Sequence, residues 1–225
     1  MDLDFIERAA DDPARLAVIW LHGLGADGHD FEPVADELGL GAVRFVFPHA
    51  PIRPVTINGG MAMRAWFDIL EFGAEAPQDE RGIRASAAAV RRLVDREVEL
   101  GLPSERIVLA GFSQGGALAL HTALREERPL AGVLALSAFL PLAWTLAGEK
   151  SSANGGIPTF MAHGAVDPVI PIEMAALGRR KLEEEGYAVE WREYPMAHTV
   201  CFDEIRDIGR WLARLADSAD RRASA

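Results

Sequence analysis

A single cysteine, Cys201, leaves the chain without an internal disulfide, in keeping with a reducing compartment. Long apolar runs are also missing: nothing approaches the roughly 20 residues that a membrane span requires. The opening residues, Met1-Asp2-Leu3-Asp4-Phe5-Ile6-Glu7, have neither the basic start nor the apolar centre of a secretory leader. These absences lead to the expectation of a cytoplasmic protein with no stable membrane insertion. Basic residues are scarce, 23 Lys and Arg against 34 Asp and Glu, for a formal net charge of −11. Phosphate binding needs a basic face, so nucleic acid is excluded as a partner. No spacing of Cys and His marks a zinc site, and neither a metal nor another cofactor is expected.

What is present is ordinary globular composition, 49% hydrophobic and 25% charged, over 225 residues. No internal repeat and no linker divides the chain. It reads as one α/β domain, 1–225, with a core at about 16–215 and a polar tail, 217–225, that frays.

One stretch dominates. Residues 106–112 are an apolar run that breaks into Gly111-Phe112-Ser113-Gln114-Gly115 and resumes in Gly116-Ala117-Leu118-Ala119-Leu120 as a helix former. Strand, tight turn and helix in that order push a serine out above a sheet, with glycines where strand and helix close on each other. Ser113 is therefore a candidate nucleophile, although on the motif alone it could equally cap the helix that starts at Gln114.

Around this stretch, residues 16–21 form a continuous apolar run, the pattern of a parallel strand buried on both faces, and end in the glycine-rich His22-Gly23-Leu24-Gly25. Residues 31–38 read as helix, 43–47 as strand, and 50–72 as a long loop rich in Pro, Gly and aromatics. Ile83, Ala87, Val90, Val94 and Val98 recur at helical spacing. Later strands are read at 130–137, 158–164 and 188–194, and later helices at 173–185 and 205–215. Strands alternating with helices predict a mostly parallel central sheet covered by helices on both faces.

In such a sheet ligands gather at the carboxyl ends of the strands. Asp167 follows the strand that ends at Gly164, and His198 follows the one that ends near Tyr194, giving the chain order Ser113, Asp167, His198. That is the order of a nucleophile-elbow hydrolase. A serine hydroxyl is protonated near neutral pH, so His198 is assigned as the base that takes its proton. Asp167 is assigned to fix the imidazole and stabilise its charged form. The backbone N–H groups of Leu24 and Gln114 are the candidate oxyanion hole. His22 and His163 each precede a glycine at a strand end and read as loop-shaping. His29, His49 and His121 carry no argument for chemistry.

These residues resemble the small carboxylesterases and acyl-protein thioesterases, the phospholipase/carboxylesterase family of the α/β-hydrolase superfamily. The likeness runs from about residue 16 to 215. Its blocks are Leu21-His22-Gly23-Leu24-Gly25-Ala26-Asp27-Gly28, Pro54-Val55-Thr56-Ile57-Asn58-Gly59-Gly60 with Trp66-Phe67-Asp68-Ile69, and Gly111-Phe112-Ser113-Gln114-Gly115-Gly116. His163-Gly164-Ala165-Val166-Asp167-Pro168-Val169-Ile170-Pro171 and Tyr194-Pro195-Met196-Ala197-His198-Thr199-Val200 complete it. The family often has glycine where Ala197 stands and serine where Thr199 stands.

The resemblance implies an α/β-hydrolase fold with no separate lid domain, a Ser113, Asp167, His198 triad, an oxyanion hole at Leu24 and Gln114, and no cofactor. It also implies an acyl groove shaped by Trp66, Leu70 and Phe72, although Trp66 is as well explained by core packing. The implied substrate is a small-molecule ester, or an acyl chain carried on another molecule, and relatives associate as homodimers. Two other readings are a dienelactone-type hydrolase, which uses cysteine at the elbow, and a ligand-binding relic without turnover.

Overall fold

A computed structural model describes residues 3–11, 13–71, 73 and 76–223, without the side chains of 219–223. Phe72, expected in the groove, lies outside the described residues. The elements in chain order are β1 (Phe5–Arg8), β2 (Leu16–Leu21), α1 (Glu32–Leu38), β3 (Val43–Pro48), β4 (Ile52–Val55), β5 (Met61–Arg64), α2 (Glu80–Glu99) and β6 (Ile107–Phe112). They continue with α3 (Gln114–Ala123), β7 (Gly132–Leu136), α4 (Leu146–Glu149), β8 (Thr159–Gly164), α5 (Ile172–Glu184), β9 (Val189–Tyr194) and α6 (Phe202–Ala223).

The apolar runs become strands because only the middle of a sheet hides both faces of a strand at once. Seven strands pair in the order β1-β3-β2-β6-β7-β8-β9, with β1 antiparallel to β3 and every other pair parallel. Alternation sorts the side chains. Ile19, Leu21, Ile107 and Leu109 pack under α2 and α3, together with Leu182 of α5. Leu16, Val18, Trp20, Val108 and Ala110 face the opposite layer, where α1 and α6 bring Ala35, Ile208, Trp211 and Leu212. The chain leaves β2 toward β3 on one side and returns to β6 on the other, so the loops after β2 and β6 open side by side at the switch in strand order. No separate lid domain covers that edge among the described residues.

Three expectations are corrected. The sheet begins before the core expected from about residue 16, with β1, too short to show a period, tied to α2 by Arg96 stacked over Phe5 and paired with Glu7. The long loop at 50–72 carries an antiparallel hairpin, β4 with β5, in register Ile52↔Arg64 to Val55↔Met61. The last helix, read at 205–215, runs from Phe202 to Ala223, into the polar tail, because that segment is helix-compatible. No helix among the described residues is long and apolar enough to cross a membrane.

Candidate active site

Ser113 sits between β6 and α3 with φ 54° and ψ −121°, backbone values that L residues rarely adopt and that need support from the surroundings. Its N–H donates to Leu136 O at 2.8 Å and its carbonyl accepts from Ala117 N–H at 3.0 Å. The glycines are steric necessities. A Cβ on Gly111 would lie 2.3 Å from the Gly115 carbonyl carbon, and one on Gly115 would lie 2.2 Å from Leu21 O. Ser113 occupies the N-cap position of α3, yet its hydroxyl makes no capping bond. It lies instead 2.9 Å from His198 Nε2.

His198 Nδ1 is 2.7 Å from Asp167 Oδ2, and Asp167 Oδ1 accepts from the N–H groups of Val169 and Ile170 at 2.8 and 2.9 Å. Burial alone would raise the Asp167 pKa. The bonds from His198 and from the two amides outweigh it and hold the carboxyl below its ordinary value. The three residues picked from separate strand ends thus form one hydrogen-bonded chain. His198 also packs on Phe112, ring centroids 4.7 Å apart, which limits its rotation.

Leu24 and Gln114 border the same cavity as Ser113 and His198. The Gln114 N–H belongs to the first turn of α3, where helix amides lack internal partners and the helix dipole is positive. The Leu24 loop is held from both sides. His22 Nδ1–H donates to Gly23 O at 2.7 Å, while Nε2 accepts from Ala50 N–H at 3.0 Å. Burial, above all, drives the His22 pKa down to about 4, so the ring stays neutral and keeps both bonds at neutral pH. Gly25 N–H donates to Arg64 O at 2.8 Å, and Arg64 Nη1 donates to Ala50 O at 2.9 Å. The hairpin missed in the sequence is therefore a brace for this loop.

Of the expected groove residues, Leu70 lies on the cavity wall and Trp66 does not. Trp66 is fully buried, its Nε1–H donates to His22 O at 2.9 Å, and its ring tilts on that of His22. An indole N–H taken out of water must find an acceptor, and here the acceptor is His22 O, at the base of the Leu24 loop, rather than a group in the groove. The wall starts one residue later, at Phe67.

The cavity measures about 690 Å³ and draws Phe139, Leu140 and Trp144 from the segment after β7, and Val169, Met174 and Leu177 from around α5. None of these was expected. Three of them, Trp144, Val169 and Leu177, are apolar side chains that the fold leaves substantially exposed, which only the structure reveals.

A model of the phospholipase/carboxylesterase family matches residues 3–216. The chain belongs to the phospholipase/carboxylesterase family. It is 39% identical to acyl-protein thioesterase 1 of Neurospora crassa, over 91% of this chain and 89% of that relative. Among solved structures of this shape, SOBER1 of Arabidopsis thaliana aligns with a TM-score of 0.86 at 31% identity, covering 90% of this chain and 99% of that one. Acyl-protein thioesterase 2 of Zea mays aligns with the same TM-score of 0.86 at 27% identity, covering 95% and 99%. As a member of this family the chain is a hydrolase with the α/β-hydrolase fold.

Proposed function

We propose that this family member is a serine hydrolase that cleaves carboxylic ester and thioester bonds of acyl substrates bound in the apolar groove. The observation that carries the reading is the continuous chain from Ser113 Oγ through His198 to Asp167, at 2.9 and 2.7 Å. Ser113 Oγ attacks the acyl carbonyl carbon as His198 Nε2 takes its proton, and Asp167 stabilises the resulting imidazolium. The carbonyl oxygen, now carrying negative charge, receives the N–H groups of Leu24 and Gln114. His198 passes the proton to the departing alkoxide or thiolate, leaving an acyl ester on Ser113. Water, deprotonated by His198, then attacks that ester and releases the carboxylic acid and the free hydroxyl.

The substrate side of the proposal rests on shape. A cavity of about 690 Å³ with a mostly apolar surface, to which Phe67, Leu70, Leu140, Trp144 and Leu177 contribute, takes an acyl chain. The relatives' names point to acyl groups carried on protein thiols. A dienelactone-type hydrolase is disfavoured by serine at the elbow, and a relic by three side chains already at bonding distance.

A fluorophosphonate probe tests the chemistry. We expect stoichiometric labelling at Ser113 in folded protein and none in Ser113→Ala; an unlabelled wild type overturns the proposal. A series of nitrophenyl esters and matched thioesters of increasing acyl length tests the groove, with kcat/KM rising beyond acetyl.

A further inference from the structure

Behind the carboxylate stands a second imidazole that the mechanism above does not use. His163 is the fifth residue of β8, fully buried, and its Nε2 lies 2.8 Å from Ile170 O and 3.4 Å from Asp167 Oδ2. A carbonyl oxygen can only accept, so Nε2 carries the ring proton. The contact closes a ring of bonds: Ile170 N–H donates to Asp167 Oδ1, and Ile170 O accepts from His163. The loop that presents Asp167 is thereby gripped at both polar groups of Ile170. The ring lies nearly parallel to that of Trp191, with centroids 6.5 Å apart and planes 18° apart.

With the proton on Nε2, Nδ1 is an acceptor, and it is buried without a partner among the described residues. So is the hydroxyl of Ser137, the residue after β7. Strands β7 and β8 run in register Leu136↔Ala162, and Ser137 N–H donates to Ala162 O, which sets Ser137 and His163 side by side at adjoining strand ends.

We infer that His163 is a positioning residue for Asp167, acting as a fixed Nε2–H donor that holds the 167–170 loop so that Oδ2 faces His198. The inference rests on the triad reading above. Loss of the donor loosens the loop that presents the carboxylate, which degrades the transition state while leaving the acyl groove intact. Displacements of this kind cost on the order of 10- to 100-fold in rate.

The test compares His163→Phe, which keeps a ring against Trp191 and lacks the donor, with His163→Gln, whose side-chain amide can donate from near the same point. His163→Phe is expected to lose about tenfold or more in kcat with KM within about twofold, and His163→Gln to recover most of the loss. Equal kcat in His163→Phe and wild type overturns the inference, as does an equal loss in both variants. Should His163→Phe fail to fold, nitrogen NMR of the wild-type histidines decides: an Nε2–H tautomer at His163 supports the role, and an Nδ1–H tautomer overturns it. A wild type that is not labelled by fluorophosphonate would instead indict the catalytic reading itself.

Discussion

The side chain of Gln114 is bonded to the backbone of Trp66: its Oε1 accepts from the Trp66 N–H at 2.8 Å, and its Nε2 donates to the next carbonyl, Phe67 O, at 2.8 Å. One residue therefore supplies a candidate oxyanion amide from its main chain and bolts down the start of the groove wall with its side chain. Trp66 in turn holds His22 O, so elbow, wall and the Leu24 loop share one set of bonds.

Gln114→Ala should separate the two functions. The main-chain N–H remains, but the Trp66 N–H and Phe67 O lose their partners in a buried setting, at roughly 1–3 kcal/mol for each unsatisfied group. We expect a fall of several degrees in melting temperature together with a loss of about 10- to 100-fold in kcat as loop and elbow drift apart. A variant as active as wild type would show that the bolt is idle in catalysis.

Asp167→Asn should keep the fold and lose the chemistry. The asparagine retains one oxygen for the Val169 and Ile170 amides, and its NH₂ faces His198 Nδ1 where an acceptor is required. The imidazole then favours the wrong tautomer, and kcat is expected to drop by about 10⁴-fold with KM little changed, as for triads generally. Steady-state kinetics checks this, with the fluorophosphonate labelling rate as an independent measure of Ser113 nucleophilicity. Loss of less than about tenfold would remove Asp167 from the triad.

Leu177→Asp probes the groove. Leu177 borders the cavity from α5 and is 47% exposed, so the fold tolerates a charge there. Each buried methylene is worth about 0.8 kcal/mol. We expect kcat/KM for a long-chain nitrophenyl ester to fall by about tenfold relative to the acetyl ester. An unchanged ratio would place the acyl chain elsewhere.

The parts legible in the sequence were those where one physical demand fixes residue type. Ser113 announced itself because a reversed backbone at a strand-to-helix turn admits only glycine at Gly111 and Gly115. Asp167 and His198 were found because parallel strands deliver their loops to one edge. The hairpin of β4 and β5 was not legible: Ile52, Pro54 and Met61 are exposed, so neither face alternates in polarity. Trp66 was ambiguous for the reason that large aromatics serve cores and clefts alike, and only the bond to His22 O decides between them. His163 was read as shaping its loop, and the loop it shapes proves to be the one that carries Asp167.

Glu204 sets a pH dependence on stability. It lies in the first turn of α6, fully buried, and neither carboxyl oxygen has a well-formed hydrogen bond among the described residues. Burial pushes its pKa up to about 8 from 4.5, with only the backbone at Cys201 acting against the shift. Between those two values the folded protein keeps a proton that the unfolded chain has released. Stability is therefore fully expressed below about pH 4.5 as far as this group is concerned, declines as pH rises, and levels off once Glu204 ionises in the folded state near pH 8. At about 1.4 kcal/mol for each pH unit traversed, the window is worth a few kcal/mol. Glu204→Gln replaces the protonated acid by a neutral side chain of nearly equal shape and removes this slope. Urea unfolding at pH 5 and pH 8 is the measurement: the wild type should lose stability between the two, and the variant should lose less and be the more stable protein at pH 8. Parallel behaviour of the two proteins would mean that Glu204 ionises in the folded state at an ordinary pH, which requires a partner for its carboxylate inside α6's packing layer.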